Sequence, residues 1–227
     1  MTRNGSRDGT TTALLAGGVA GPLVFIIVFL IEGATRPGYS AARNMVSDLA
    51  MSDEGWQQIA NFLVCGTLVL GLAVGLSRRW RTGAASTWGP RLIGAFGLGL
   101  IVAGVFVTDP ARGYPPGASL TGEPQTLHGI VHGINAIPTF GALVAAAFVV
   151  ARRFRQDEAW GRYSRVVGWA VLALFILGTP IGVLEEHGIT PPVAGIVQRV
   201  EIIIGWTWLS LLAWRELRTL GEAPADQ

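Results

Sequence analysis

The sequence predicts an all-α membrane protein, a bundle of six transmembrane helices, and three observations support this fold class. Half of the 227 residues are hydrophobic and only 14% are charged, whereas soluble domains are nearer a quarter charged. Six apolar stretches approach the roughly 20 residues that a helix needs to cross a bilayer. Basic residues concentrate in every second loop, as they do on one side of a membrane protein.

Short polar loops join the predicted spans and leave no room for a separate soluble domain. Residues 1–12 are predicted to be a disordered N-terminus, 13–215 a single membrane domain, and 216–227 a polar tail. In the first loop, residues 44–51 could form a short helix lying in the membrane interface. The six spans are expected at residues 13–31, 57–77, 90–108, 127–151, 165–184 and 193–214.

The first three spans have sequence signals at their ends. The first follows basic residues, as a signal peptide would, but no small-residue cleavage site comes after it. The second begins after Ser52 and two acidic residues, a typical helix start, and it ends in a cluster of arginines. The third ends at Asp109, which precedes a proline and therefore favours a turn.

The last three spans are bounded in the same way. The fourth begins with two histidines four residues apart and ends in the arginines of residues 152–155. The fifth contains Pro180 near its end. The sixth follows Thr190, Pro191 and Pro192, and proline is favoured in the first turn of a helix.

The distribution of arginine predicts the orientation in the cell membrane. By the positive-inside rule, both termini and the loops after the second and fourth spans are cytoplasmic. The basic residues mark topology, which argues against a nucleic-acid partner. Of the 17 basic residues, all lie on the predicted cytoplasmic side except four: Arg36, Arg43, Arg112 and Arg199.

Most other polar groups fall at the predicted outer ends of the spans. Polar side chains at membrane depth are costly, so they face the bundle interior and find partners there. We therefore expect an outward-facing polar pocket inside an apolar bundle. Besides the candidates discussed below, its expected members are Asn61, Asn135, Glu185, His187, Arg199 and Trp206.

A pair of histidines is the clearest candidate for metal binding. His128 and His132 are four residues apart and project from one face of a helix. With Asp109 they could hold a metal ion such as zinc. They could equally form an acid–base pair, or hydrogen-bond neighbouring helices without any chemical role. The spacing leaves these three alternatives open.

Four acidic or hydroxyl residues are candidate catalytic groups. Asp109 closes a helix at the negative end of its dipole and needs a partner or a proton. Asp48 could act as a base, and Ser47 as a nucleophile or merely as a helix cap. Glu201 lies about 10 Å inside the last span at roughly 1.5 Å per residue. It could be a catalytic acid or part of a structural ion pair with Arg199.

Three short motifs resemble one bacterial membrane family. The chain contains NMVSDL at residues 44–49, F-x-x-D-P at 106–110 and LHG-x-x-H at 127–132. Together they resemble the family called domain of unknown function 998, over about residues 15–215. This resemblance implies a six-helix membrane fold and no settled activity.

A weaker similarity is to the zinc-dependent membrane hydrolases of the alkaline ceramidase and adiponectin-receptor type. That similarity implies Ser47, Asp109, His128 and His132 around a zinc ion. Seven spans are usual in those proteins, and their histidine pair lies in the last helix. The similarity therefore serves only as an analogy.

Three functions remain open at this point. The first is an intramembrane enzyme acting on a lipid or isoprenoid-like substrate by metal-assisted hydrolysis, with Asp48 or Asp109 as base. The second is a terpene cyclase that starts its reaction with a proton from Asp109 or Glu201. The third is a transporter or membrane assembly factor. In each case the partners are the lipid bilayer and a hydrophobic or amphipathic small molecule.

Overall fold

The computed structural model describes residues 4–120 and 125–220, and that part of the chain is built from helices. A short 3₁₀ helix, Val46–Ala50, lies between the first two long helices. All six long helices are apolar and long enough to cross a membrane, which confirms a multi-pass membrane protein in a lipid bilayer. The long helices are α1 (Asn4–Thr35), α2 (Trp56–Arg79), α3 (Trp88–Val105), α4 (Leu127–Arg153), α5 (Glu158–Glu186) and α6 (Ala194–Arg218).

The six helices form a closed ring. Each helix packs against the next one in the chain, and α6 packs back against α1. Aromatic rings fill the centre, where the Trp206 ring lies 4.8 Å from Phe96 and 5.5 Å from Phe25 between centroids. Because every helix has two neighbours, one face of each can be buried while the other meets lipid.

One expected boundary is wrong at the N-terminus. Helix α1 begins at Asn4, so residues 4–12, expected to be disordered, are helical. A helix extends easily from an existing apolar span because each added residue gains one hydrogen bond. Residues 1–3 and 221–227, at the two chain ends, lie outside the described residues.

Two further boundaries differ from expectation for local reasons. Helix α3 ends at Val105, three residues early, because Phe106 is already extended ahead of the Asp109–Pro110 turn. Helix α5 begins earlier than expected, at Glu158, because the Asp157 side chain caps it by accepting a hydrogen bond from the Trp160 amide.

The first loop contains the expected short helix and folds into the end of the bundle. Within its 3₁₀ helix, Val46, Asp48 and Leu49 are almost completely buried. The Gly195 amide of α6 donates a hydrogen bond to the Ala42 carbonyl at 2.9 Å. We call this end of the bundle, formed by the segments at residues 36–55, 106–120, 125–126 and 187–193, the loop end.

Glycines allow α2 and α3 to approach closely. A Cβ on Gly66 would lie 2.7 Å from the Gly97 carbonyl oxygen, and a Cβ on Gly97 would lie 2.9 Å from the Gly66 oxygen. Distances this short are not seen for real Cβ atoms, so the two backbones touch only because both residues lack a side chain.

We therefore expect Gly97→Ala to destabilise the protein by about 1–3 kcal/mol through overpacking. The matched control is Gly141→Ala in α4, where an added Cβ meets no atom within 4 Å. Helix propensity alone makes that control neutral or slightly stabilising. Thermal unfolding in detergent micelles measures both, and equal melting temperatures for the two variants would contradict the close α2–α3 contact.

Candidate functional site

Arg36 at the end of α1 holds one side of the first loop. Its guanidinium is almost fully buried and lies 3.7 Å from the Glu32 carboxylate and 3.2 Å from that of Glu54. It also donates hydrogen bonds to Ser52 Oγ and Gln57 Oε1 at 3.1 and 3.0 Å. Since α1, the loop and α2 all contribute partners, Arg36 ties these three segments together.

The first turns of α6 hold the other side of the loop. Gln198 Oε1 accepts a hydrogen bond from the Val46 amide at 2.7 Å. Arg199 Nη1 donates to the Asn44 carbonyl at 2.8 Å, and Nη2 donates to the Tyr39 hydroxyl. Arg199 was expected in the pocket, but its guanidinium serves to satisfy buried backbone and to position the loop.

Asp48 lies inside the folded loop. Its Oδ2 accepts a hydrogen bond from the Met45 amide at 2.8 Å. Burial raises the pKa of Asp48 to about 6, while Arg112, the Met45 amide and Arg199 act in the opposite direction. Burial of the neighbouring Tyr39 likewise raises the pKa of its phenol above the ordinary value.

Two adjoining cavities lie beneath the loop. The larger, of about 250 Å³, is bounded by α4, α5, α6 and the loops, and we call it the α4–α6 cavity. The smaller, of about 70 Å³, lies deeper, and we call it the inner cavity. Ala136, Phe140 and Gln198 line both, so the two spaces share a wall.

Glu201 lines the α4–α6 cavity. The residue is 3% exposed, and its Oε1 has no hydrogen-bond partner. No arginine or histidine among the described residues lies within ion-pair distance of it, and Arg199, two residues earlier, points to the loop instead. The expected ion pair between Glu201 and Arg199 is therefore absent from this part of the chain.

The polar stripe of α4 lines the inner cavity. His132 Nδ1 donates a hydrogen bond to the Phe106 carbonyl at 2.7 Å, which fixes the orientation of its ring. Asn135 donates to the Gly99 carbonyl at 2.8 Å, and Thr139 bonds to the Asn135 carbonyl. Gly99 lies within α3, and Phe106 directly follows the end of that helix. Ser47 and Trp206 line the same cavity.

Asp109 and His128 lie outside both cavities. The two carboxylate oxygens of Asp109 accept hydrogen bonds from the amide and hydroxyl of Thr126, at 2.8 and 2.7 Å. The partner that Asp109 needs is thus the first turn of α4, whose positive dipole end suits a carboxylate. His128 is exposed, with its ring 5.2 Å from that of Phe106.

These contacts do not fit the suggested zinc site. Both oxygens of Asp109 and one nitrogen of His132 already have partners in the fold. Nowhere in residues 4–120 and 125–220 do three histidine, cysteine, aspartate or glutamate side chains form a group that could hold a metal ion.

The remaining expected pocket residues have structural contacts. Asn61 donates to the Phe25 carbonyl at 3.1 Å and joins α2 to α1. Glu185 Oε1 accepts hydrogen bonds from the Val193 and Ala194 amides and caps α6. His187 is exposed, and its Nδ1 donates to the Val183 carbonyl of its own helix at 2.8 Å.

The structure adds residues that sequence patterns did not single out for the pocket. Phe140 and Phe175 both line the α4–α6 cavity, and their rings stack against each other with centroids 5.1 Å apart. Arg112 lines the same cavity, although in the sequence it stood out only as one of four basic residues outside the predicted cytoplasmic side. Apolar residues are so common in these helices that no sequence signal distinguishes the two phenylalanines.

Fold and site together define a six-helix integral membrane protein with a buried carboxyl group beside an aromatic-lined cavity. The family model "Protein of unknown function (DUF998)" matches residues 19–215, and the chain belongs to this family. Neither the curated proteins nor the solved structures contain a significant match, so the likeness to zinc hydrolases has no support from them.

Removing the Arg36 side chain should loosen the loop end. We expect Arg36→Gln to lower the free energy of unfolding by about 3 kcal/mol or more, because it leaves the buried Glu32 carboxylate without a cation. The double variant Glu32→Gln/Arg36→Gln should recover part of the loss. Chemical unfolding in micelles measures both, with exposed Arg155→Gln at the other end as control. No recovery in the double variant would contradict the ion pair.

Because burial raises the pKa of Asp48, we expect the stability of the protein to depend on pH. Its pKa is higher in the folded protein, about 6, than the ordinary value of 3.8. The folded state therefore binds more protons, and the contribution of Asp48 to stability falls as pH rises from about 4 to about 6. Asp48→Asn should remove this fall. Melting temperatures of the variant and the wild type that change in parallel over this range would refute it.

Proposed function

We propose that this DUF998 protein is a membrane enzyme that transfers a proton from Glu201 to an unsaturated lipid or isoprenoid-like substrate in the α4–α6 cavity. The arginine bias of the sequence supports placing the loop end on the outer side of the cell membrane, with both termini in the cytoplasm. A substrate of this kind would reach the cavity from the bilayer.

The observation that carries the proposal is the unpartnered carboxyl group of Glu201. Burying an ionised carboxylate without a cation is very costly, so the protonated acid is the less costly form in such surroundings. Polar groups inside a membrane bundle usually have partners, and exceptions commonly mark functional sites. A carboxylic acid directed at an apolar cavity suits proton donation to a hydrocarbon.

The aromatic rings support the same chemistry. The O–H bond of Glu201 would break as the proton joins one carbon of a double bond, leaving a carbocation on the other carbon. A second double bond could then attack this cation, and loss of a proton to the carboxylate would restore the acid. Phe140 and Phe175 line the cavity, and Trp206 lies 6.1 Å from Phe140. Aromatic faces stabilise such cations.

The alternatives have less support from the geometry. Asp109 is engaged by Thr126 and does not line either cavity, so Glu201 is the better acid. For hydrolysis, Ser47 lines the inner cavity, but Asp48 is turned into the loop backbone and lines neither cavity. Neither of the two carboxylates suggested as the hydrolytic base, Asp48 and Asp109, lines the α4–α6 cavity or the inner cavity.

A proton-linked carrier is the second candidate. A buried, unpaired carboxyl group within a membrane span is also a typical feature of proton pathways. Such a carrier would release its cargo unchanged, whereas an acid catalyst would change the carbon skeleton. Uptake into liposomes without any chemical product would therefore favour the carrier.

We expect Glu201→Gln to lower product formation by about a hundredfold or more, since general acids contribute this much to catalysis. The assay incubates the purified protein with prenyl alcohols and prenylated lipids and identifies products by mass spectrometry. The variant should keep or slightly raise the melting temperature, because a neutral amide replaces an unpaired acid.

Two matched variants serve as controls for this experiment. Asp109→Asn and the exposed Glu158→Gln should both retain activity, since neither residue lines the cavity. Full activity in Glu201→Gln would overturn the proposal. Loss of activity together with loss of folding would show instead that Glu201 has a structural role.

A further inference from the structure

A third cavity lies beside the α4–α6 cavity at the loop end. It has a volume of about 280 Å³ and lies between the first loop, the 106–120 segment and the 185–192 turn. We call it the head cavity. Arg112 lines both this cavity and the α4–α6 cavity, so its side chain stands where the two spaces meet.

The head cavity contains cationic groups without partners. Arg112 Nε is buried and has no hydrogen-bond partner. Arg43 lines the same cavity, and neither arginine forms an ion pair or a side-chain hydrogen bond within the described ranges. Thr190 Oγ1 and Glu185 Oε2 are two further buried polar atoms without a hydrogen-bond partner in this wall. Such groups are normally satisfied, which indicates that a ligand supplies what is missing.

The backbone fixes the position of Arg112. The residue adopts a left-handed conformation with φ of 54°, which is unfavourable for a side chain of this size. The Asn44 side chain donates a hydrogen bond to the Arg112 carbonyl at 3.3 Å. The strained turn is thus tied to the buried first loop, as is typical where a side chain must be held at a site.

In the part of the chain that the structure describes, the nearby acidic groups form no ion pair with the two arginines. Glu185 lines the head cavity; its Oε1 caps the first turn of α6 through two backbone amides, and its Oε2 is buried without a hydrogen-bond partner. Asp48 interacts electrostatically with Arg112 from inside the loop, yet its Oδ2 is held by the Met45 amide. Glu201 faces the apolar cavity. Each carboxylate is therefore outside ion-pair distance of both guanidinium groups.

We propose that the head cavity binds the phosphate group of an amphipathic lipid or isoprenoid phosphate, with Arg112 and Arg43 as its main contacts. Arginine is the preferred side chain for phosphate, because its planar donors match two phosphate oxygens at once. The hydrocarbon tail of the same molecule extends into the α4–α6 cavity. This inference rests on the proposed function and adds the substrate class to it.

The tail would then pass Glu201, with the head held at a fixed distance from the acid. Holding a substrate by a remote group positions the reacting carbon without demanding any polar contact there. A site of this kind distinguishes a phosphorylated lipid from the corresponding alcohol. Head and tail spaces together are of the size usual for small-molecule sites, roughly 300–1,000 Å³.

The test is a binding titration of the full-length protein in detergent micelles, followed by tryptophan fluorescence. The probes are farnesyl phosphate, farnesol and inorganic phosphate. We expect Arg112→Gln to lower the affinity for farnesyl phosphate by about tenfold or more. Arg43→Gln should also lower this affinity. Farnesol should bind the wild type and both variants equally, and exposed Arg155→Gln should change nothing.

Several results would overturn this inference. One is unchanged affinity for farnesyl phosphate in both Arg112→Gln and Arg43→Gln. Another is inorganic phosphate binding as tightly as farnesyl phosphate, which would indicate a site for a free anion and not for a lipid. Either result leaves the role of Glu201 untouched, because its activity assay with prenyl alcohols needs no phosphate. Conversely, Glu201→Gln should bind farnesyl phosphate normally even if the catalytic proposal fails.

Discussion

The organisation of the loop end depends on hydrogen bonds to a buried stretch of irregular backbone. Residues 36–55 fold into the end of a helical bundle, where each unsatisfied amide or carbonyl would cost several kcal/mol. Arg36 from α1 and Gln198 and Arg199 from α6 supply the missing partners. The close approach of Gly195 to the Ala41 and Asn44 carbonyls allows the contact. This accounts for why so many polar residues of the pocket have structural roles.

The same arrangement isolates a few groups that have no such role. The loop covers the cavities, and the side chains of Arg36 and Arg199 are engaged in holding it. Among the described residues, Glu201 has no cation and Arg112 and Arg43 have no anion within ion-pair distance. These unpartnered groups lie along one continuous wall of the loop end. A molecule with an anionic head and an unsaturated tail would complement all of them, which is why the two proposals concern the same ligand.

The sequence predicts the helices well because apolar runs of about 20 residues have few alternative structures in a bilayer. It also predicts the depth of Glu201, since its place in the last span follows from helix geometry. The partners of polar groups are harder to predict. Thr126, which binds Asp109, is 17 residues away and carries no distinctive pattern. For residues 44–51 the sequence predicts a short interfacial helix, and only the helix ends around this segment show how deeply it is buried. The role of Arg112 depends on a turn conformation that the sequence does not reveal.

The central claim is that Glu201 is a protonated acid facing an apolar cavity. Infrared spectroscopy of the purified protein in micelles tests it directly, because a protonated carboxyl group absorbs separately from a carboxylate. The difference spectrum between wild type and Glu201→Gln at neutral pH should show the band of one carboxylic acid. A difference spectrum that shows only a carboxylate band would contradict the account, since Glu201 would then be ionised and paired.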